Sequence, residues 1–339
     1  MHSTIFMLGP PDTAIKNNDL RMKRTEDGKY RVLISNCTPF TSLLTQDKTI
    51  ARHSETVVLG HHKRVRFPKG AAVNMFNLVS DADSSMLSLR QIETICERNG
   101  FKRVFNHPRN IQLTSRANAR RVFSDIPGLV IPKTVATTFS SIPNLARDIT
   151  AHKLSYPLII RCSGRHGGEA MYRVDSEEAL SELPDDLKQE GTRLLLIEYL
   201  AREDERGLFH KIRIVFVDGE IYPRHCIFSD NWCVHATDRE RVMLGDEQLR
   251  EKEQAFLQNF DNTLTASQRQ ALLTMQQRLG LDLWGMDCAI NDDGQIILFE
   301  ANACMNFHDQ DYGPHNEFEY LKPFQQAVRR AIKKMILRH

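Results

Sequence analysis

Residues 284–306, WGMDCAINDDGQIILFEANACMN, limit this chain more than any other stretch: two apolar runs flank a turn signal, and those runs hold Asp287 and Glu300 with no Lys or Arg. A carboxylate among apolar residues is costly unless a cation or hydrogen bonds stabilise it. Asp293-Gly294 is the usual two-residue loop of a β-hairpin. That loop sets Asp292 opposite Gln295, and counting outward sets Asp287 opposite Glu300. Opposed residues share a face with Cβ atoms about 4.5–5.5 Å apart. Asn302, two residues beyond Glu300, lies on the same face. A four-residue loop keeps this parity, and only a bulge would part the carboxylates. Three oxygen ligands on one rigid face suit a hard cation such as Mg²⁺, which takes oxygen at about 2.0–2.1 Å and is usually shared with phosphates. The plainer alternative is a pair of solvated charges on a surface hairpin; the apolar character of both strand faces argues against it.

The rest of the chain bounds the class. Its 339 residues suffice for two or three domains with real cores. With 41% hydrophobic and 26% charged residues it is neither disordered nor fibrous. A net charge of +2 implies no strong field for nucleic acid or membranes. No apolar run reaches a membrane span, and MHSTIFMLGPP lacks the pattern of a secretory signal. Seven scattered cysteines without a C-x-x-C pair fit a reduced, cytoplasmic protein. His61-His62 reads as a surface turn rather than a zinc site.

Along the chain, YRVLIS (30–35), AVNMFNLVSD (72–81) and RVFN (103–106) read as strands, and residues 84–100 read as a helix stopped by Gly100. They suggest a small α/β domain to about residue 110. Residues 114–123 predict a helix capped by Thr114 or Ser115, with Arg116 and Arg120 on one face. GLVIPKT and TRLLLIEYL read as strands, SEEALSELPDDLKQEG as a surface helix, and residues 323–337 as an amphipathic closing helix.

Two further segments carry chemistry. IIRCSGRHGGEAMYRV sets glycines between two strands with Arg161 below them, and no helix follows. Such backbone can expose N–H groups to an anion, although an ordinary glycine-rich hairpin fits the same pattern. In HKIRIVFVDGEIYPRHCIF the Asp218-Gly219 turn pairs Val217 with Glu220 and therefore Arg213 with Arg224, with Lys211 on that face. Like charges directly opposed are destabilising unless they bind an anion. Both guanidiniums splaying into water is the alternative.

A glycine flap, a cationic sheet face and a carboxylate pair together resemble the ATP-grasp superfamily, glutathione-synthetase-like and ribosomal-protein glutamate-ligase-like members above all. The resemblance runs from VFNHPRNIQLTSRA to FEANACMNF and is weaker before it. It implies an α/β (α+β) fold in three parts: an N-terminal α/β domain (1–110), a central subdomain with the flap (111–200) and a C-terminal subdomain with the metal site (201–339). It implies that Asp287, Glu300 and Asn302 hold two magnesium ions, for which Mn²⁺ can substitute. It implies ATP with adenine at Glu198, Tyr199 and Leu200, and ribose at Glu203 or Asp204. Phosphate contacts fall to Arg116, Arg161, Lys211, Gly167 and Gly168. Arg213 matches the arginine that steadies the transferred phosphate, and Arg224 is its expected companion. Family members carry lysine at the place of Arg161 and often near Arg116; arginine keeps the charge but bonds phosphate differently. His225, Trp232 and His235 are candidates for substrate contact or for structure.

The activity implied is ATP-dependent joining of a carboxylate to an amine through an acyl-phosphate. A kinase on the same fold and a non-catalytic nucleotide-binding module are the alternatives. Expected partners are small-molecule or peptide carboxylates and amines, with no nucleic acid and no membrane; a homodimer is left open.

Overall fold

A computed structural model of the chain describes residues 4–12, 21–24, 30–33, 47–59, 73–164, 170–303, 305 and 316–338. His61-His62 and Gly167-Gly168 lie outside the described residues. The order of elements is mixed α/β, in agreement with the expected class.

The first sheet is parallel, in the order β4 (Ser54–Val58), β1 (Thr4–Leu8), β5 (Asn74–Asn77), β6 (Arg103–Phe105). Strands β2 (Arg21–Arg24) and β3 (Tyr30–Leu33) form a separate ribbon. Parallel strands bury both faces: Met7 and Met75 enter one apolar cluster, Phe6 and Phe76 another. Helix α1 (Lys48–His53) is capped by Asp47, whose Oδ1 accepts from the Thr49 and Ile50 amides. Helix α2 (Met86–Asn99) ends at Gly100 in the left-handed conformation, φ +56°. The loop that leaves β5 carries Asp81 and Asp83 toward the rest of the molecule.

After helices α3 (Pro108–Ile111) and α4 (Arg116–Phe123) and the short strand β7 (Leu129–Val130), a second sheet forms. It is antiparallel, in the order β10 (Met171–Val174), β9 (Leu158–Cys162), β11 (Arg193–Glu198), β8 (Thr134–Thr138). Helix α5 (Ile142–Ala151) packs Leu145 and Ile149 on it, against Leu158, Ile160, Leu194 and Leu196. Residues 176–191 do not form the expected surface α-helix. A 3₁₀ turn, Glu178–Glu182, stops before Pro184, and Leu180, Leu183 and Leu187 are buried. Proline cannot donate within a helix, and three leucines find the core without one.

The third sheet orders β13 (Glu220–Ser229), β12 (Phe209–Val217), β14 (Leu283–Ile290), β15 (Ile296–Ala303) and β7. Thus β7 joins this sheet, parallel to β15, although it lies among residues of the expected central segment. Helices α6 (Glu247–Gln258), α7 (Phe260–Thr263) and α8 (Ala266–Leu279) follow β13, and α9 (Lys322–Arg338) closes the described chain. One face of the sheet sends Ile212, Ile214, Trp284 and Met286 into the cluster that holds Leu272 and Met275 of α8. Phe216 stacks on Trp284 with ring centroids 3.9 Å apart. The opposite face has two apolar patches. Val215, Val217 and Leu283 meet Val328 and Ile332 of α9, and Phe209 and Ile227 meet Leu249 and Leu257 of α6. Between these patches the same face turns polar. Among the described residues no helix is long and apolar enough to cross a membrane.

Candidate active site

The polar band is a row of four residues, one per strand: His225, Arg213, Asp287 and Glu300 are successive partners across β13, β12, β14 and β15. Asp287 does face Glu300, but by a different route from the expected one. The β14–β15 loop has three residues, not two. Asn291 N–H donates to the Gln295 carbonyl at 3.0 Å, and Gly294 sits at φ +73°. The Asn291 side chain also accepts from the Gln295 amide at 2.8 Å, which widens the turn. This loop shifts the register by one, so Cys288 faces Leu298. A bulge at Phe299 then restores the parity, and Asp287 meets Glu300. The bulge therefore brings the carboxylates together.

The β12–β13 hairpin corrects the other count. Val217 pairs with Glu220 as expected, but the register shifts between Arg213 and Ile214, so Arg213 faces His225 and Arg224 falls in the bulge. Arg213 and Arg224 are not opposed, and the expected repulsion between directly facing arginines is absent. Arg224 is buried at 4% exposure, whereas the Arg213 side chain is 19% exposed. Bulges on two of the row's strands, each beside the row, are the usual means by which a sheet re-aims side chains at a site.

Each carboxylate of the row is already neutralised by the chain's own cations. Asp287 Oδ1 accepts from Arg213 Nε at 2.7 Å and Oδ2 from Arg213 Nη2 at 2.8 Å, with Lys211 Nζ 3.6 Å away. Burial alone would raise the Asp287 pKa; Arg213 and Lys211 outweigh it and hold the group down at about 2. Glu300 Oε2 accepts from Arg116 Nη2, and Oε1 accepts from Asn302 Nδ2 at 2.8 Å. Asn302 thus shares the face, as expected. Burial pushes Glu300 up, and Arg116, Arg213 and Arg161 together more than reverse it.

Arg116 begins α4 and is itself 8% exposed. Asp83, from the first sheet's loop, accepts from the Ser115 hydroxyl at 2.5 Å and the Arg116 amide at 3.2 Å, and lies 3.6 Å from the guanidinium. Ser115 caps α4 by holding Asp83 rather than by bonding its own helix. Arg161, on β9, is also buried; burial and the nearby Arg116 charge lower it to about 10, so it stays charged at neutral pH. Arginines 116 and 161 thereby bring cations from α4 and the second sheet to the same carboxylates.

Beside Glu300 an apolar crevice opens between the second and third sheets. Ile131, Pro132, Ile197, Leu298, Phe299 and Ala301 line it, with Thr114, Thr134, Arg116 and Glu300 at its polar side. Glu198 stands next to it, with Oε2 accepting from the Lys133 amide at 2.9 Å. Tyr199 meets Trp232 edge-on at 5.9 Å and lies under the Arg173 guanidinium at 4.6 Å. Asp204 closes its own turn by accepting from the Arg206 and Leu208 amides, whereas Glu203 is exposed. Strands β9 and β10 pair on either side of the glycine segment. Sequence reading missed the crevice, because Ile131, Ile197 and Leu298 look like ordinary core. Phe299, immediately before Glu300, was the available signal. It also missed Asp81, which reads only as the end of a strand, and Asp83, which falls between that strand and the following helix.

No family model matches the chain. N-acetylaspartylglutamate synthase A of Mus musculus is 25% identical over 71% of this chain and 57% of its own length. Beta-citrylglutamate synthase B of Homo sapiens is 21% identical over 71% of this chain and 56% of its own. The chain thus spans little more than half the length of these curated relatives. Among solved structures, a D-Ala:D-Ser ligase from Enterococcus faecalis superposes with TM-score 0.52 at 12% identity, covering 99% of this chain and 100% of that one. An ATP-grasp RimK domain protein from Sphaerobacter thermophilus gives 0.50 at 13%, covering 98% and 99%. The carboxyaminoimidazole ribonucleotide synthase from Aspergillus clavatus, complexed with ATP, gives 0.51 at 13%, covering 99% and 77%.

The chain has the ATP-grasp fold. In this fold the crevice and the row are adjacent, meeting at Arg116 and Glu300. Among the described residues no three His, Cys, Asp or Glu side chains cluster as a metal cage. The row and the neighbouring Asn302 instead offer two carboxylates and an amide, a hard-oxygen set that suits a divalent cation shared with phosphate oxygens. Arg116, Lys211 and Arg213 would have to exchange Glu300 and Asp287 for those phosphates.

Proposed function

We propose that the chain is an ATP-dependent ligase that joins a carboxylate to an amine through an acyl-phosphate. The observation that carries this reading is the row itself: two carboxylates, each held by arginine, at the mouth of an apolar crevice. The crevice takes the adenine, with Glu198, Tyr199 and Leu200 at its edge and Glu203 at the ribose. Arg116, Arg161, Lys211 and the Gly167-Gly168 segment take the phosphates. Asp287, Glu300 and Asn302 would hold magnesium, two ions in full occupancy, with Mn²⁺ able to substitute. Magnesium bound there would neutralise charge on the transferred phosphoryl group. Arg213 releases Asp287 and steadies that group as its charge develops. Arg224, held in the bulge beside the row, serves the carboxylate substrate. On this reading residues 1–110 help to enclose the substrates through Asp81 and Asp83, 111–200 supply the flap and 201–339 the row.

The names of the curated relatives each contain glutamate joined to an acidic partner. We take L-glutamate as the amine and a polycarboxylate as the acyl donor, and the cations around Lys211 and Arg224 support an acidic substrate. The reaction belongs in the cytoplasm, since the described cysteines 96, 162, 226, 233 and 288 are free thiols.

The test is release of inorganic phosphate from Mg-ATP with N-acetylaspartate or citrate, with and without L-glutamate or hydroxylamine. A ligase releases phosphate only when a nucleophile is present, and hydroxylamine yields a hydroxamate. A phosphorylated carboxylate that accumulates as the final product even when a nucleophile is present would establish the kinase alternative instead. Nucleotide binding without any turnover would leave a binding module.

A further inference from the structure

His225 occupies the end of the row, is 8% exposed, and has Nε2 buried without a hydrogen-bond partner. Buried polar atoms almost always find partners, so an orphan beside a reactive row marks a place for a ligand. The row also measures distance. Neighbouring strands lie about 4.8 Å apart, so His225 stands about 5 Å from Arg213 and about 10 Å from Asp287 at the backbone. Arg213 lies between Asp287 and His225, so with the carboxylates on one side of it the side left for an acyl carbon is that of His225.

Other described groups are less suited to take a proton there. His210 Nε2 is occupied by the Ile290 amide at 3.2 Å. His235 Nε2 is 3.2 Å from Cys233 Sγ. Tyr320 donates its hydroxyl to Glu253 at 2.7 Å. We propose that His225 is the general base of the joining step, its neutral Nε2 taking a proton from the attacking ammonium group.

This inference rests on the ligase reading. One ammonium N–H bond breaks and its proton passes to Nε2. The freed lone pair attacks the acyl carbon, and the C–N bond forms. The C–O bond to phosphorus's oxygen breaks, and phosphate leaves with that electron pair and accepts the second proton lost from nitrogen. The surroundings time the transfer. Arg213 and Lys211 from β12, Arg224 on its own strand and Arg239 from the turn before α6 bear on His225. Glu253 of α6 is engaged with Arg239. Burial and these cations keep the imidazole neutral in the empty site. Phosphates bound to Arg213 and Lys211 offset that charge, so the base strengthens when the site is loaded.

The experiment compares two nucleophiles in His225→Gln and His225→Asn, with citrate or N-acetylaspartate as acyl donor. L-glutamate must lose a proton to react; hydroxylamine is uncharged at neutral pH and needs no base. Glutamate-dependent turnover should fall by about 100-fold or more, the usual weight of a general base, while hydroxylamine-dependent phosphate release is unchanged. The residual glutamate rate should climb with pH in proportion to the free amine. Equal losses with both nucleophiles, or no loss with either, would overturn the base role. Failure of both variants to fold would assign His225 to the core and overturn it too. Absence of hydroxylamine-dependent phosphate from the native protein is a different failure, since it rejects the ligase reading itself.

Discussion

Two bidentate arginine–carboxylate pairs, Arg213–Asp287 on the third sheet and Arg239–Glu253 on the elements packed against it, are built for different ends. Glu253 Oε1 accepts from Arg239 at 2.5 Å and the Cys226 amide at 2.7 Å; Oε2 accepts from Arg239 at 2.6 Å and the Tyr320 hydroxyl at 2.7 Å. Its side chains are 2% and 0% exposed, and the guanidinium lies 5.4 Å from the Phe318 ring centroid. That pair ties the turn before α6, α6 itself, β13 and residues 318–320 into one unit. Arg213–Asp287 has fewer bonds, a second cation 3.6 Å away, and an arginine 19% exposed. A saturated pair has nothing to gain from a new partner. A less saturated pair, with its arginine partly exposed, is free to take new partners, which is the exchange proposed for it with phosphate and metal.

The largest effect should come from breaking the saturated pair. Glu253→Gln removes the carboxylate bonded to both ends of the buried Arg239 guanidinium, and should cost about 3–5 kcal/mol in urea unfolding. Asp287→Asn should cost at least about 2 kcal/mol less than that, because Lys211 and Arg213 can turn to water, yet abolish Mg-dependent turnover. Equal stability losses in the two variants would erase the distinction.

Next in size is Arg213→Ala. Turnover should fall at least about tenfold, equivalent to ~1.4 kcal/mol of transition-state stabilisation. The opposed-arginine count promised unchanged or higher stability in this variant; the ion pair with Asp287 reverses that sign, and a modest loss is expected. Full activity with a large drop in melting temperature would make Arg213 a structural residue like Arg239.

The smallest effect is in acid. The folded pKa of Asp287, about 2, lies below its ordinary 3.8. A carboxylate lowered on folding contributes stability that is present above the unfolded pKa and lost as pH falls through the folded one. Stability should therefore decline between pH about 4 and about 2, and more shallowly in Asp287→Asn. Parallel slopes would mean that the Arg213 and Lys211 contacts contribute nothing to the fold.

Much of this was legible in the sequence because periodicity, caps and turns are local. Helix α2 stops at Gly100, where the sequence reading stops it, and the hairpin turn at Asp218-Gly219 falls where Asp-Gly predicts. The facing of Asp287 and Glu300 was also legible, although two errors cancelled in it: the loop is one residue longer and the bulge at Phe299 adds one back. In β12–β13 the turn was right and an unforeseen bulge undid the count, which exchanged Arg224 for His225. Bulges depend on what packs above the strands, so the sequence of one hairpin does not announce them. The crevice was illegible for the same reason: Ile131, Ile197 and Leu298 become a slot only when two sheets leave a gap between them.

Oxygen transfer tests the acyl-phosphate most directly. With citrate or N-acetylaspartate labelled with ¹⁸O in its carboxylates, L-glutamate and unlabelled Mg-ATP, the released phosphate should contain one ¹⁸O atom per turnover, taken from the acyl donor. Product formed with phosphate that carries no label would mean that the carboxylate is never phosphorylated, and would contradict the role assigned to the row.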